Sequence, residues 1–304
     1  MLAADDVEFF ALLASSASLA EAARRMNVTP SAVTQRLQGL EARLGAKLVD
    51  RTGGPLGLTD EGELVASGGR RVMDALNDLR EALARRRSLV VGRVRVAAPF
   101  GFGRRHIAPL IAELRAEHPD LVVDLVLSDR PASLGSEAYD IAFHVGPLDK
   151  TATSLTVRKL APNNRLLCAS PAYIARRGEP EDIAALVAND CIALHESMDD
   201  GASWRLRSDE GGAEQQVRVK PSLATNDGEV AKSWALAGLG IVLRSEWDVA
   251  EDLRSGRLQR VLGGCCSPAW DVVALLPARS DARPARVRIL LDRASEIFAH
   301  PPWR

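Results

Sequence analysis

The chain has 304 residues, 46% of them hydrophobic and 26% charged, and a formal net charge of -1 at pH 7. This composition is typical of a folded globular protein and excludes the collagen-like, disordered and disulfide-rich classes. The length exceeds that of one ordinary domain, so we expect a small module and a larger, divided domain. Because the net charge is close to zero, any affinity for nucleic acid must come from a local group of cationic side chains.

Membrane, export and metal signals are absent from the sequence. No apolar run approaches the roughly 20 residues that cross a bilayer, and the first six residues lack the cationic start of a signal peptide. We therefore expect a cytoplasmic protein with no membrane partner. The cysteines lack the spacing of a zinc site, so we expect structural thiols, no metal and no cofactor. The four are Cys168, Cys191, Cys265 and Cys266.

Three helices are predicted at the N-terminus. Apolar residues recur at helical spacing up to Ala14, a serine-rich turn follows, and a second helix fits residues Leu19 to Met26. Thr29 is placed to cap a third helix that begins at Pro30, in the first helical position, which proline tolerates. Two short helices joined by a tight turn indicate a helix-turn-helix, whose second helix contacts bases near its start.

The third helix has one apolar and one polar face. The side chains predicted to point inward follow the helical repeat and are Val33, Leu37, Leu40 and Leu44. The opposite face carries Ser31, Thr34, Gln35, Gln38 and Ala42. Short donors and acceptors match base edges in the major groove, whereas a merely solvated helix usually carries Glu and Lys. This face is therefore predicted to read DNA.

A wing and a long helix are predicted next. Residues 46–52 and 56–59 have the pattern of two short strands around a Gly-Gly-Pro turn. Thr59 or Asp60 then caps a helix that extends to about Leu89. Its apolar residues repeat every seven positions, which predicts a seam with a second copy. Gly69 at the vacant position would let that partner approach closely or would bend the seam. The alternative is a helix packed on its own chain. The seam residues are Val65, Val72 and Leu79, with Leu76 and Leu83 in the complementary register.

From Gly92 onward, predicted strands alternate with helices. A first strand ends near Ala98 and leads through a glycine-containing loop into a helix, and further strands fit Leu121–Leu127 and Ile141–Val145. This order predicts an α/β fold with a mostly parallel sheet and helices on both of its faces. Ligands of such sheets bind beyond the carboxyl ends of the strands, where helix N-termini favour anions.

The chain resembles the LysR-type transcriptional regulators over nearly its full length. Among the segments that carry the resemblance are AARRM at 22–26, TPSAVTQ at 29–35, LEARLG at 40–45 and LTDEG at 58–62. Others are VRVAAP at 94–99, LCASPAY at 167–173 and NDGE at 226–229. The resemblance implies a winged helix-turn-helix, a linker helix that dimerises, and an effector domain of two lobes, like a periplasmic binding protein.

The implied domain bounds follow from the same resemblance. The DNA-binding domain spans residues 1–58, the linker helix 59–91 and the effector domain 92–304. We place the two crossings between lobes near Arg165 and Trp270, so the first lobe is discontinuous. Its parts are 92–164 and 270–304, and the second lobe is 165–269.

The resemblance and the polar face of the third helix together imply a set of DNA contacts. These are Thr29, Pro30, Ser31, Thr34, Gln35, Arg36, Gln38, Arg51 and Thr52. Arg36 is expected at a phosphate and Arg51 in or beside the minor groove. Many family members carry Arg at the position of Gln35 and a basic wing tip, so we expect a shallower salt dependence here. Arg24, Arg25 and Arg43 are either further contacts or solvated helix surface.

The implied effector contacts come from loops of both lobes. They are Phe100, Gly101, Phe102, Ser128, His144, Thr225 and Asn226. Two aromatic residues in one loop indicate an aromatic or otherwise apolar effector that bears a carboxylate. His144 is either a titrating ligand contact or a satisfied structural group. Arg104 and Arg105 are either anion-binding groups or parts of the scaffold, and the presence of the same motif in many relatives with different effectors favours the scaffold.

These features predict a regulator of transcription rather than an enzyme. Its expected partners are double-stranded DNA at a pseudo-palindromic promoter site, a small-molecule effector, further copies in a dimer or tetramer, and RNA polymerase. A dehydrogenase is the enzymatic alternative, but His106 stands where the third glycine of the dinucleotide fingerprint would be. A ligand carrier without DNA function and a DNA-binding protein without an effector are the remaining alternatives.

Overall fold

The computed structural model describes residues 2–50, 56–85, 90–128, 139–148, 155–195, 201–208, 213–277 and 283–304. The chain divides into two compact units, Met1–Leu89 and Val90–Arg304. Arg51 and Thr52, both predicted to contact DNA, lie outside the described residues, as does the predicted end of the linker helix at Leu89.

The first unit contains the predicted helix-turn-helix, a short hairpin and the linker helix. Its elements are α1 (Ala4–Ala14), α2 (Leu19–Met26), α3 (Pro30–Leu44), β1 (Val49–Asp50), β2 (Gly57–Leu58) and α4 (Asp60–Arg85). Thr29 caps α3 by accepting a hydrogen bond from the Ala32 amide, and Gly45 ends α3 with a left-handed backbone. Both signals were read from the sequence, and the start and end of α3 are confirmed.

The core of the first unit joins α3 to α1 and to the wing. Phe10, Leu37 and Leu40 are completely buried. Glu41, on the same helix, is buried and accepts hydrogen bonds from the Leu48 amide at 3.0 Å and from Lys47 Nζ at 2.7 Å. Burial by itself raises the pKa of Glu41, but these hydrogen bonds outweigh it and lower the pKa. The carboxylate therefore stays charged and holds the segment that leads into the wing.

The apolar stripe of α4 divides into a covered and an uncovered part. Val65 packs against the helix-turn-helix core. A Cβ on Gly69 would lie 2.8 Å from Val7 Cγ1, so Gly69 faces α1. The prediction that Gly69 faces a partner helix is therefore wrong, because the chain's own α1 occupies that place. Farther along α4, the Val72 side chain is 47% exposed and Leu79 is 59% exposed.

The second unit has two lobes, each built on a five-stranded sheet. The first lobe contains β3 (Gly92–Ala98), α5 (Phe100–Phe102), a π-helical turn (Gly103–Ile107), α6 (Ala108–Glu117), β4 (Leu121–Leu127), β5 (Ile141–Val145), β6 (Leu155–Ala161), β15 (Val272–Pro277) and α10 (Ala285–Ala299). Its strand order is β4-β3-β5-β15-β6.

The second lobe lies between these segments in the sequence. It contains β7 (Arg165–Ala169), α7 (Pro171–Arg177), a 3-10 turn (Ala184–Ala188), β8 (Cys191–Leu194), β9 (Ser203–Ser208), β10 (Gln215–Arg218), β11 (Pro221–Thr225), α8 (Gly228–Leu236), β12 (Ile241–Ser245), α9 (Glu246–Arg254), β13 (Gln259–Arg260) and β14 (Cys265–Cys266). Its main sheet has the order β11-β8-β12-β7-β13, and β10-β9-β14 form a smaller one.

In each main sheet four strands run in one direction and one runs against them. In the first lobe β3 is parallel to β4 and β5, whereas β15 is antiparallel to β5 and β6. In the second lobe β8 is parallel to β11 and β12, whereas β7 is antiparallel to β12 and β13. The expectation of a mostly parallel sheet therefore holds for four of the five strands in each lobe. In each sheet the antiparallel strand is the one that begins just after the chain crosses from the other lobe.

Two short segments carry the chain between the lobes, one after β6 and one before β15. Asn163 in the first is completely buried, and its Nδ2 donates to the carbonyl oxygen of Trp270 in the second at 3.0 Å. The Trp270 amide donates back to the Asn163 carbonyl oxygen at 2.8 Å. The Arg165 guanidinium lies 4.4 Å from the centre of the Trp270 ring. These contacts hold the two crossings side by side.

An aromatic cluster joins α9 to the first lobe. Phe102 is completely buried, with ring centres 5.4 Å from Trp247 and 5.5 Å from Phe298. The prediction that Phe102 lines the effector site is therefore wrong, because its ring fills the first lobe's core. His106 belongs to the same cluster, 5.1 Å from the ring of Trp303. Burial and the neighbouring charge of Arg105 lower the pKa of His106 from 6.5 to about 4.

His106 makes the stability of the effector domain depend on pH. The folded domain binds this proton more weakly than the unfolded chain does. The contribution of neutral His106 to the free energy of unfolding is therefore complete above about pH 6.5 and is lost as pH falls towards 4. This difference between the pKa values of the unfolded and folded states corresponds to roughly 3 kcal/mol of unfolding free energy. We expect urea denaturation at pH 7 and pH 4.5 to show a smaller loss of unfolding free energy in His106→Gln than in wild type. His300→Gln, at an exposed position, is the control, and equal losses in all three proteins would contradict the assignment.

Candidate functional site

The polar face of α3 is exposed in the first unit. Ser31, Gln35 and Gln38 are exposed, and Thr34 is half-buried. The Thr34 hydroxyl donates to the carbonyl oxygen of Pro30 at 2.9 Å, and the Ser31 and Thr29 hydroxyls are 2.9 Å apart. These hydrogen bonds orient the hydroxyls at the start of the helix. The face therefore offers small polar groups of the kind that bind base edges.

The arginines around this face already have contacts within the unit. Arg36 Nη2 donates to the Asp5 carbonyl oxygen at 2.9 Å, and its guanidinium lies 4.6 Å from the centre of the Phe9 ring. Arg43 Nη2 lies 2.6 Å from Asp6 Oδ1. Arg25 Nη1 donates to the carbonyl oxygen of Ser15. Arg24 is exposed at the end of α2.

In the first lobe, the carboxyl ends of three parallel strands meet at one edge. Phe100 follows β3 and is 41% exposed, and the Ser128 amide, after β4, donates to the Ala98 carbonyl oxygen at 2.9 Å. Near the end of β5, His144 Nε2 hydrogen-bonds to the Pro147 carbonyl oxygen at 3.1 Å. The structure therefore brings three predicted effector contacts to the same edge. The hydrogen bond of His144 matches the structural alternative for that side chain.

In the second lobe, a corresponding edge carries Thr225, Asn226 and His195. The His195 amide donates to the Thr225 carbonyl oxygen at 2.8 Å, and both His195 and Asn226 are exposed. His195 was not predicted. The available signal was its place directly after the apolar strand β8, which is the same relation that singled out Ser128 after β4.

Ion pairs join the two edges. Arg104 Nη2, in the turn after β3, lies 2.6 Å from Oε2 of Glu229, which follows β11. Arg105 Nη2 lies 2.7 Å from Glu251 Oε2 on α9. A Cβ on Gly101 would lie 3.0 Å from Cη2 of the Trp247 ring, so this glycine allows close contact between the lobes. These contacts hold the carboxyl edges of both sheets next to each other, and we call the junction between them the cleft. The scaffold interpretation of Arg104 and Arg105 agrees with these contacts.

A buried charge cluster supports the second lobe's side of this cleft. Asp248 is 2% exposed, with Oδ1 2.8 Å from Lys232 Nζ and Oδ2 2.8 Å from Arg244 Nη2. Burial by itself raises the pKa of Asp248, but Arg244 and Lys232 outweigh it and lower the pKa. A Cβ on Gly228 would overlap the Arg244 guanidinium, so only glycine fits at the start of α8. The cluster thus positions the helix that follows Asn226.

A separate groove lies elsewhere on the second lobe. It runs between the segment Glu179–Ala184 and the turn Leu262–Cys265, and its lining includes the carboxylates of Glu179, Glu181 and Asp182. Among the described residues that line it there is neither Lys nor Arg. An anionic effector therefore fits the cleft between the strand ends better than this acidic groove.

Together the two units define a class of protein. A helix-turn-helix with an exposed polar recognition face is joined by a long helix to a two-lobed α/β domain whose strand ends face each other. These are the parts of a DNA-binding regulator that responds to a ligand. Among the described residues, no helix is both long enough and apolar enough to cross a bilayer.

Comparison with known families supports this class. The family model for the "bacterial regulatory helix-turn-helix protein, lysR family" matches residues 4–63, and the model for the "LysR substrate binding domain" matches residues 87–298. The chain belongs to the LysR family of transcriptional regulators. The resemblance read from the sequence is therefore confirmed.

Two curated relatives cover most of the chain. The HTH-type transcriptional regulator DmlR of Escherichia coli strain K12 is 35% identical over 297 residues, which are 97% of this chain and 94% of DmlR. The HTH-type transcriptional activator TtdR of the same strain is 33% identical over 259 residues, 85% of this chain and 82% of TtdR. Both similarities span the DNA-binding and the effector-binding parts.

Solved structures agree with the fold. The full-length virulence activator AphB of Vibrio cholerae superposes with a TM-score of 0.64 at 24% identity, over 98% of this chain and 100% of AphB. The regulator CrgA of Neisseria meningitidis gives a TM-score of 0.61 at 25% identity, over 99% of this chain and 100% of CrgA. The likeness to AphB supports the fold alone.

Proposed function

We propose that this LysR-type regulator reads a pseudo-palindromic promoter site with the polar face of α3. The observation that carries the proposal is the exposed, uncharged set Ser31, Gln35 and Gln38 at a capped helix start. Thr29, Pro30 and Thr34 complete the reading surface. Arg51 of the wing reaches into or beside the minor groove, and Thr52 contacts the DNA next to it.

Base reading through α3 is tested by removing its polar groups. We expect the triple variant Ser31→Ala, Thr34→Ala, Gln35→Ala to lose its preference for the promoter fragment that flanks its own gene. Each lost base contact costs about 1–3 kcal/mol of discrimination. Fluorescence anisotropy on that fragment and on a random duplex of equal length measures the preference. The control is Gln216→Ala, an exposed residue of the effector domain. If the triple variant kept the wild-type preference for the promoter fragment, the assignment of base reading to α3 would be wrong.

We propose that α4 joins two copies into a dimer. The exposed Val72 and Leu79 continue the apolar stripe that Val65 begins, and a second copy of α4 would cover them. A dimer carries two recognition helices, one for each half-site of a pseudo-palindrome. Pairing of effector domains between dimers gives a tetramer that bends the DNA, and at a promoter this assembly acts on RNA polymerase.

The proposed dimer seam is tested by placing charged side chains in it. We expect Val72→Glu, Leu79→Glu to shift the protein from dimer to monomer in analytical ultracentrifugation, because two pairs of like charges would be buried in the seam. Ser67→Glu, on the opposite side of α4, is the matched control and should remain dimeric. A double variant with the wild-type sedimentation coefficient would place the dimer contact elsewhere.

We propose that the effector carries a carboxylate and binds in the cleft between the strand ends. The carboxyl ends of parallel strands in both lobes lie at this cleft, which is where open α/β sheets bind their ligands. Ser128, Thr225, Asn226 and His195 supply hydrogen-bonding groups, and the exposed Phe100 ring supplies an apolar wall. With Phe102 in the core, the case for an aromatic effector rests on Phe100.

The effector class is tested by thermal shift. Saturating ligand stabilises by about 2.7 kcal/mol at a hundredfold excess over Kd, which raises Tm by several degrees in a domain of this size. We expect aromatic or aliphatic carboxylates to give such a shift, their amides to give none, and Phe100→Ala to reduce it. Val187→Ala, an exposed apolar residue of the second lobe, is the control. Equal shifts with acids and amides would refute the anionic class.

The cellular setting follows from the same family membership. We infer that the protein works in the cytoplasm, where bacterial DNA lies, and that it regulates by binding rather than by catalysis. Both inferences are supported by the relatives, which are named as transcriptional regulators and activators.

A further inference from the structure

Arg36 lies on the flank of α3 rather than on its reading face. Successive residues of an α-helix are turned by about 100°, so Arg36 lies about 140° around the helix from Ser31. Arg43, seven residues later, lies about 120° from Ser31, on the same flank. The flank faces α1, because both guanidinium groups contact its first turns.

The contacts of Arg36 use the particular shape of a guanidinium group. Its Cζ atom lies over the buried Phe9 ring, 4.6 Å from the ring centre, while Nη2 donates to the Asp5 carbonyl oxygen at 2.9 Å. A planar cation with several N–H groups can stack on a ring and donate within its plane at the same time. A lysine ammonium keeps the charge but cannot make both contacts in this way.

A second tether strengthens the same contact between helices. Arg43 Nη2 binds Asp6 Oδ1, and Asp6 Oδ2 accepts a hydrogen bond from the Ala3 amide at 3.1 Å. Two points about two turns apart on α3 are thus held against the start of α1. Such a pair resists rotation of α3 about its own axis, and this rotation decides which side chains face the DNA.

We infer that Arg36 is a positioning residue, which sets the orientation of the recognition helix instead of neutralising a phosphate. The inference rests on the proposed reading of DNA by α3. It assigns the stacked pair Phe9 and Arg36 a role in sequence discrimination, although neither side chain lies on the reading face.

The experiment separates charge from geometry. Arg36→Gln, Arg36→Lys and Phe9→Leu are compared with wild type for binding to the promoter fragment and to a random duplex, over a range of KCl concentrations. Each neutralised phosphate adds about 0.9 to the slope of log K against log salt, so a dimer that lost two such contacts would lose about 1.8. Arg51→Gln, in the wing, serves as the comparison for an arginine that we propose to contact DNA.

For a positioning residue we expect all three variants to lose about tenfold in affinity for the promoter fragment, the scale of one base contact. Their salt slopes and their affinity for the random duplex should stay at the wild-type values. The double variant Phe9→Leu, Arg36→Gln should be no worse than either single variant, because both break the same contact.

Other outcomes overturn the inference. A slope reduced by about 1.8 in Arg36→Gln, with wild-type behaviour in Arg36→Lys and Phe9→Leu, would show that Arg36 neutralises a phosphate. Circular dichroism melting checks that each variant folds, and Arg36→Lys decides the question if Phe9→Leu does not. If wild type showed no preference for the promoter fragment, the proposed reading of DNA would fail. The slope of log K against log salt on the random duplex would then still show whether Arg36 neutralises a phosphate. An unchanged slope in Arg36→Gln would mean that it does not.

Discussion

The contact of α9 with both lobes is the constraint on which the effector domain depends. Trp247 enters the aromatic core of the first lobe, while its neighbour Asp248 binds Lys232 and Arg244 of the second. Removing charges from water is costly, so such a cluster persists only where each charge is compensated. Because the anchors are adjacent on one helix, the lobes cannot separate without exposing the indole ring or breaking the cluster. These anchors therefore hold the two lobes together near their strand ends.

In the DNA-binding unit, contacts on two sides of α3 likewise fix the position of this helix. One face of this helix packs in the core, one flank is tethered to α1 by Arg36 and Arg43, and the remaining face is free to read bases. Glu41 adds a link to the segment before the wing. The face that we propose to read bases carries little charge, so on this proposal discrimination depends on how precisely the helix is held. Precision of this kind comes from packing and directed hydrogen bonds, which salt screens less than surface charge.

Local signals predicted the elements well where the cause of the structure is itself local. The cap at Thr29, the proline at position 30 and the glycine at 45 act on the backbone within one turn, so the bounds of α3 could be read directly. The carboxyl ends of β3, β4 and β5 were equally predictable, because parallel strands place their ends at one edge. Ser128 and His144, both implied by the family resemblance, lie at the ends of two of these strands, and His195 follows β8 in the same way.

What the sequence alone determined was the order of elements, the family and the polar face of α3, since periodicity, caps and motifs are properties of neighbouring residues. Only the tertiary structure decided which side chains remain available to partners. Phe102 is in the core because α9 and α10 cover it, and Gly69 faces Val7 because α1 folds back onto α4. Arg36 likewise contacts Phe9 and Asp5, which lie about 30 positions away in the sequence. No local pattern encodes such contacts, because they arise only when distant segments pack together.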